Sequence, residues 1–264
     1  MASEIGRLRL RQTLAEAVRR MPDMARGAGG VIALTALLAF ALVWVPEGWV
    51  HTVLIVGLVV ASLMSFGAMT RIGVADDLTA ARRLGLGPSG FQMTRVEARL
   101  AGATLLCGLF LTIILVMLAL IALALSAAAG LDAAAIEARN WGAVGPMWKL
   151  VLLTLVGLIV LGTPVVLAIR LCLFAQATVG REQMISLTVT GLTNGSMWPL
   201  FLGLVTVSLP GLIWATVVMA GVMTGIVATV AAIVVWSIQG PLTSAFLGAA
   251  YRRLERPTEG LAPL

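Results

Sequence analysis

Residues 183–251 read QMISLTVTGLTNGSMWPLFLGLVTVSLPGLIWATVVMAGVMTGIVATVAAIVVWSIQGPLTSAFLGAAY, 69 positions without one aspartate, glutamate, lysine or arginine. A soluble domain keeps about a quarter of its residues charged, whereas membrane hydrocarbon penalises each charge by several kcal/mol. A membrane-spanning helix needs about 20 apolar residues, so the run holds two spans, turning near residues 220–224. The solvent of this stretch is lipid.

The rest of the chain agrees. Of 264 residues, 60% are hydrophobic and 11% charged, and the mean hydropathy is +1.03. The apolar runs are continuous, without the period-two alternation of a membrane β-barrel. Working outward from 183–251, further uncharged runs cover 27–46, 48–70, 100–131 and 150–169. The expected fold is all-α: a polytopic transmembrane helical bundle of six spans with interfacial amphipathic helices. Residues 1–26 form a basic amphipathic cytoplasmic segment, 27–251 the six-helix domain and 252–264 a cytoplasmic tail.

The net charge of +6 does not point to nucleic acid, because the cations sit at the ends of the apolar runs and no nucleic-acid motif accompanies them. The N-terminal segment, the loop 71–99, the stretch 170–181 and the tail hold 16 of the 18 lysines and arginines. The positive-inside rule then places both termini in the cytoplasm. In the first segment Leu10, Leu14, Ala17, Val18 and Met21 share one helical face, with Gln12, Glu16, Arg19 and Arg20 opposite, a pattern suited to an anionic leaflet.

Local signals mark the loops. Trp44 and Trp49 flank a tight hairpin between spans one and two, and His51, the single histidine, reads as a hydrogen-bonding residue beside it. Asp77 is expected to cap a short helix through Arg83, ended by Gly85. Ser89 and Gln92 read as the capping box of the third span. The loop 132–149 suggests a short interfacial helix, and 181–198 a second amphipathic one re-entering at Pro199. Pro164, Pro210 and Pro241 are expected kinks, and Gly221 with Gly225 matches a small-residue helix contact.

Chemistry is sparse. Gly85-Leu86-Gly87-Pro88-Ser89-Gly90 lacks the Lys-Ser/Thr of a phosphate loop, and Asp76 with Asp77 has no further ligand at metal spacing. Cys107 and Cys172 read as free thiols. No nucleophile with a base and no carboxylate pair is apparent, so neither catalysis nor a cofactor is expected. Polar groups available inside the spans reduce to Ser, Thr, Gln176 and Gln239, which argues against an ion pathway. Two functions stay open: an accessory, assembly or envelope-homeostasis factor, and a transporter or handler of lipids or small amphiphiles. The expected partners are membrane lipids, other membrane proteins or a second copy.

One segment carries a likeness. Leu192-Thr193-Asn194-Gly195-Ser196-Met197-Trp198 resembles the Leu-Thr-x-Gly-Asn-Phe-Trp signature of six-helix bacterial inner-membrane proteins of the YciC type. These are relatives of the membrane domain fused to some glycerophosphoryl diester phosphodiesterases. That family pairs the box with an arginine ending span four and a later acidic residue, positions held here by Arg170 and Glu182. The resemblance implies a bacterial inner-membrane location and a polar site of Arg170, Glu182, Thr193, Gly195 and Trp198. From the residues alone, Arg170 can equally snorkel to headgroups or pair with Glu182.

Overall fold

The computed structural model describes residues 8–130, 134, 137–140, 146–181 and 195–259. In chain order these form α1 (Leu10–Arg19), α2 (Met21–Trp44), α3 (Trp49–Val74), α4 (Leu78–Arg83), a 3₁₀ turn (Pro88–Gly90) and α5 (Arg95–Ala128). After them come α6 (Met147–Leu171), α7 (Phe174–Gly180), α8 (Met197–Met219) and α9 (Gly225–Glu259). Counting Met147–Gly180 as one run, six stretches are long and apolar enough to cross a bilayer, the shortest 23 residues. At about 1.5 Å per residue even that one exceeds the roughly 30 Å of hydrocarbon. The protein is an all-α, multi-pass membrane protein.

Several expectations hold locally. Asp77 Oδ1 accepts the Ala80 N–H at 2.6 Å and caps α4, and Gly85, at φ +87°, ends it. His51 Nδ1 lies 3.0 Å from the Val45 carbonyl and ties the start of α3 to the hairpin turn. The turn between α8 and α9 spans residues 220–224, and Cys107 and Cys172 are free.

Others are corrected. The third span starts at Arg95, so its capping box is Thr94 with Glu97, five residues beyond the expected one. The Thr94 N–H donates to Glu97 Oε2 at 2.8 Å, and the Thr94 hydroxyl accepts from the Val96 N–H at 3.2 Å. A helix opening at Ser89 would pull Gly90 out of its slot. Gly90, at φ +86°, lies where a Cβ would strike Val31 and Ala28 of α2 and Ala68 of α3. Pro164, Pro210 and Pro241 lie inside α6, α8 and α9, and a break the sequence did not suggest falls at residues 172–173. Gly221 in the turn and Gly225 at the first residue of α9 take positive φ, and a Cβ at either would meet nothing within 4 Å. Half of the expected helix over 132–149 and most of that over 181–198 fall outside the described residues.

The chain divides into two compact units. The first, Met1–Thr104 with Cys172–Leu264, has a core of Met24, Ala28 and Val31 from α2, Ala68 and Ile72 from α3, and Ala245, Phe246 and Ala249 from α9. Glycines set its closest approaches. The backbones of Gly73 in α3 and Gly248 in α9 touch, so that a Cβ on Gly248 would overlap the Gly73 peptide, and the Phe246 ring occupies the space a side chain at Gly203 of α8 would need. Such contacts between small residues drive helix association where lipid removes the hydrophobic effect. The second unit, Leu105–Leu171, comprises α6 and the remainder of α5. Lys149 Nζ donates to the Gly130 carbonyl at 2.8 Å within it.

Candidate functional site

Two polar features of the first unit stand out, both on α3. One is the end of that helix, whose last carbonyls have no partner within the helix. Arg20 donates to the Ala75 carbonyl at 2.8 Å and to the Asp76 carbonyl at 2.6 Å. Arg252 donates to the carbonyls of Gly73 and Ala75 and to Glu16. Cations near a helix C-terminus also oppose its negative dipole end. Arg71, on the last turn of α3, is fully buried and ion-paired to the equally buried Glu97. Its remaining donors reach the Leu84 carbonyl at 2.9 Å and the Thr94 hydroxyl at 3.0 Å. Glu97 is therefore the N3 member of the α5 cap and the counter-ion of Arg71 at once. Glycine at 67 leaves room for that carboxylate, since a Cβ there would meet Glu97 Oε1 at 2.7 Å.

Glu16 bridges this end to α1. Its carboxylate accepts from Arg253 at 3.1 Å as well as from Arg252. Burial would raise the Glu16 pKa, but the hydrogen bonds and charges of Arg252 and Arg253 outweigh it and hold the group below its ordinary 4.5. The pairing also sets how α1 seats. Thr13 and Ala17 are buried and Leu10, Leu14 and Glu16 half-buried, while Gln12, Val18 and Arg19 are exposed.

The second feature is a cavity of about 630 Å³ between α3, α8 and α9. Ser62, Phe66 and Met69 line it from one face of α3, at the i, i+4, i+7 spacing that puts them in a row. Trp214 comes from α8, and Ala232, Trp236, Gln239, Gly240 and Thr243 form a stripe down α9. A neighbouring cavity of about 360 Å³ against α2 shares Ser62, Ala232 and Trp236 with it. Small-molecule sites have about 300–1,000 Å³ and mostly apolar walls with a few polar groups. This cavity fits that description. None of its lining residues is ionisable. Gln239 is its one carboxamide, laid against Gly211 of α8, where a Cβ would be 3.2 Å from the amide nitrogen.

The residues suggested by the sequence are placed as follows. Arg170 is exposed near the end of α6, in the second unit. Gly195, at φ +81°, and Trp198, 68% exposed and edge-on to Phe201 with ring centres 6.0 Å apart, precede and open α8 in the first unit. Glu182 and Thr193 lie outside the described residues. Arg181 pairs with Glu255 at 2.9 Å, which raises its pKa through that hydrogen bond first.

The sequence reading missed the buried pair, although Thr94-x-x-Glu97 carried a capping-box signal. The cavity had a signal too: Ala232, Trp236, Gln239, Gly240 and Thr243 recur at helical spacing in an uncharged run. Among the described residues, no three His, Cys, Asp or Glu side chains gather as a metal site would require. No protein-family model, curated protein or solved structure matches this chain.

Proposed function

We propose that the protein is a non-catalytic bacterial inner-membrane protein of the YciC type, with both termini cytoplasmic, that holds a membrane amphiphile in the cavity between α3, α8 and α9. Of the two functions left open by the sequence, accessory factor and lipid handler, the cavity favours the second. The observation that carries the choice is a space of about 630 Å³ walled by Phe66, Met69, Trp214 and Trp236 inside spanning helices. Hydrocarbon fills such a space without a desolvation penalty, whereas a polar solute would lose its water.

The non-catalytic reading is supported by the lining itself. Its hydroxyls, Ser62, Thr243 and Ser244, have no histidine or carboxylate among the lining residues to serve as base. The cluster around Arg71 is committed to helix ends and to Glu97.

Native mass spectrometry of protein released from lipid nanodiscs tests the proposal. The wild type is expected to carry a bound amphiphile. Ala232→Phe, which fills the boundary of the two cavities, is expected to lose it while keeping its thermal midpoint. Equal adducts on both proteins would overturn the reading.

A further inference from the structure

Gln239 lies deep in the membrane-crossing run. It stands 14 residues after Gly225 and 16 before Glu255, the limits of the last apolar span, or about 21 and 24 Å along the helix axis. At that depth no lipid headgroup or bulk water is within easy reach of its amide. Among the described residues none is hydrogen-bonded to it.

Another long polar side chain in the lining differs in this respect. The Trp214 indole N–H is spent on the Ala228 carbonyl at 3.0 Å. A helical serine or threonine always has the carbonyl one turn back within reach. A carboxamide, with two donors and an acceptor on a longer stem, has no such local outlet. The absent side chain at Gly211 leaves room for that amide against α8, so the group is accommodated by the opposite helix and has not strayed there.

We infer that Gln239 is the recognition group of the cavity, and that its ligand is an uncharged lipid carrying a single carbonyl or hydroxyl on an otherwise apolar body. The inference rests on the amphiphile reading above and adds the ligand's class. A phosphate or ammonium headgroup is excluded by its own chemistry, since a charge carried to this depth would meet no counter-ion in the lining. A pure hydrocarbon is disfavoured for the opposite reason, because it would leave the amide unpaired among apolar groups. One oxygen function satisfies the amide as donor or acceptor, and the two indole faces of Trp214 and Trp236 receive the apolar remainder.

The experiment compares two photoreactive probes of equal length, a diazirine-bearing fatty alcohol and the corresponding diazirine-bearing alkane. Each is titrated into the full-length protein in phosphatidylcholine nanodiscs, and labelled peptides are mapped by mass spectrometry. In the wild type both probes are expected to label α3, α8 and α9, the alcohol at lower concentration. Gln239→Leu is expected to raise the half-saturating alcohol concentration about tenfold, the effect of losing one hydrogen bond, and to leave the alkane unchanged. Gln239→Met serves in the same role if the leucine variant does not fold. Equal titrations of the alcohol in wild type and variant, or equal losses for both probes, would overturn the assignment of Gln239 while leaving the cavity reading intact. Unchanged labelling by both probes in Ala232→Phe would overturn the cavity reading, and this inference with it.

Discussion

Arg71 and Gln239 are both polar side chains on helices that cross the membrane, and α3 contributes to the surroundings of each. Arg71 is buried completely, yet its guanidinium meets Glu97, Thr94 and the Leu84 carbonyl. Gln239 faces a cavity of about 630 Å³, and no described residue is hydrogen-bonded to it. The first arrangement is closed, with each guanidinium nitrogen bonded inside the fold. The second is open, and an open polar group in an apolar cleft is where a fold has something left to bind. Burial and polarity alone do not separate structural from functional groups here. Satisfaction does.

Breaking the closed arrangement carries the largest expected effect. Glu97→Ala removes both the counter-ion of Arg71 and the N3 member of the α5 cap, leaving a buried, unpaired guanidinium. Losing one partner of a buried pair destabilises by about 3–5 kcal/mol, enough to deplete the folded protein. Abundance in membranes and the unfolding midpoint in detergent should both fall sharply. The double replacement Arg71→Met with Glu97→Leu should recover most of the loss, and a cycle through the single variants measures the coupling. Additive effects would mean that the two charges do not depend on each other.

A smaller effect is expected where no polar group is involved. Gly248→Leu places a side chain where the Gly73 peptide lies against α9. Overpacking of this kind costs about 1–3 kcal/mol, read as an earlier midpoint in a denaturant titration. Gly108→Leu, at a position open on α5, is the matched control and should leave the midpoint within about 0.5 kcal/mol of wild type. Together the pair separates packing from pairing as the force that joins α3 to α9.

How far the sequence disclosed these features follows from the range of the forces involved. Spans and turns were legible because hydrophobic length is a local property: residues 220–224 were found from chain length between uncharged flanks, and Asp77 from its neighbours alone. The α5 start was misplaced because Ser89-x-x-Gln92 and Thr94-x-x-Glu97 carry the same cap pattern. Only the fit of Gly90 against α2 and α3 decides between them, and that is tertiary. Arg252 and Glu16 stand 236 positions apart, and no periodicity links them. Gln239 was visible as a polar residue within a span. That it borders a space, with Gly211 opposite, was not.

Acid provides a weaker probe of the closed end. Glu16 has a pKa below its ordinary 4.5 in the folded protein, so the unfolded chain takes up a proton first as pH falls. The stability it supplies is complete above 4.5 and disappears as pH falls through the lower folded value. Its side chain is 31% exposed, which limits the effect to about 1 kcal/mol by comparison with other partly solvated pairs. Midpoints measured for wild type and Glu16→Gln between neutrality and acid should therefore converge at the low end. Parallel curves would show that α1 is held by Thr13 and Ala17 and not by charge.

The smallest effect on stability is expected at the open end, and its smallness is the point. Among the described residues, neither Gln176, 1% exposed on α7 with both amide atoms buried, nor the half-buried Gln239 has a hydrogen-bond partner. Replacing an unsatisfied buried polar group with an apolar one of similar shape is nearly neutral or mildly stabilising. Gln176→Leu and Gln239→Leu should each shift the unfolding midpoint upward or not at all, by at most about 1 kcal/mol. They should differ in binding, because Gln239 borders the cavity and Gln176 does not line it. If Gln239→Leu destabilised the protein as Glu97→Ala is expected to, the amide would belong to the fold's own polar network. The distinction between closed and open groups would then fail at the residue on which the ligand assignment depends.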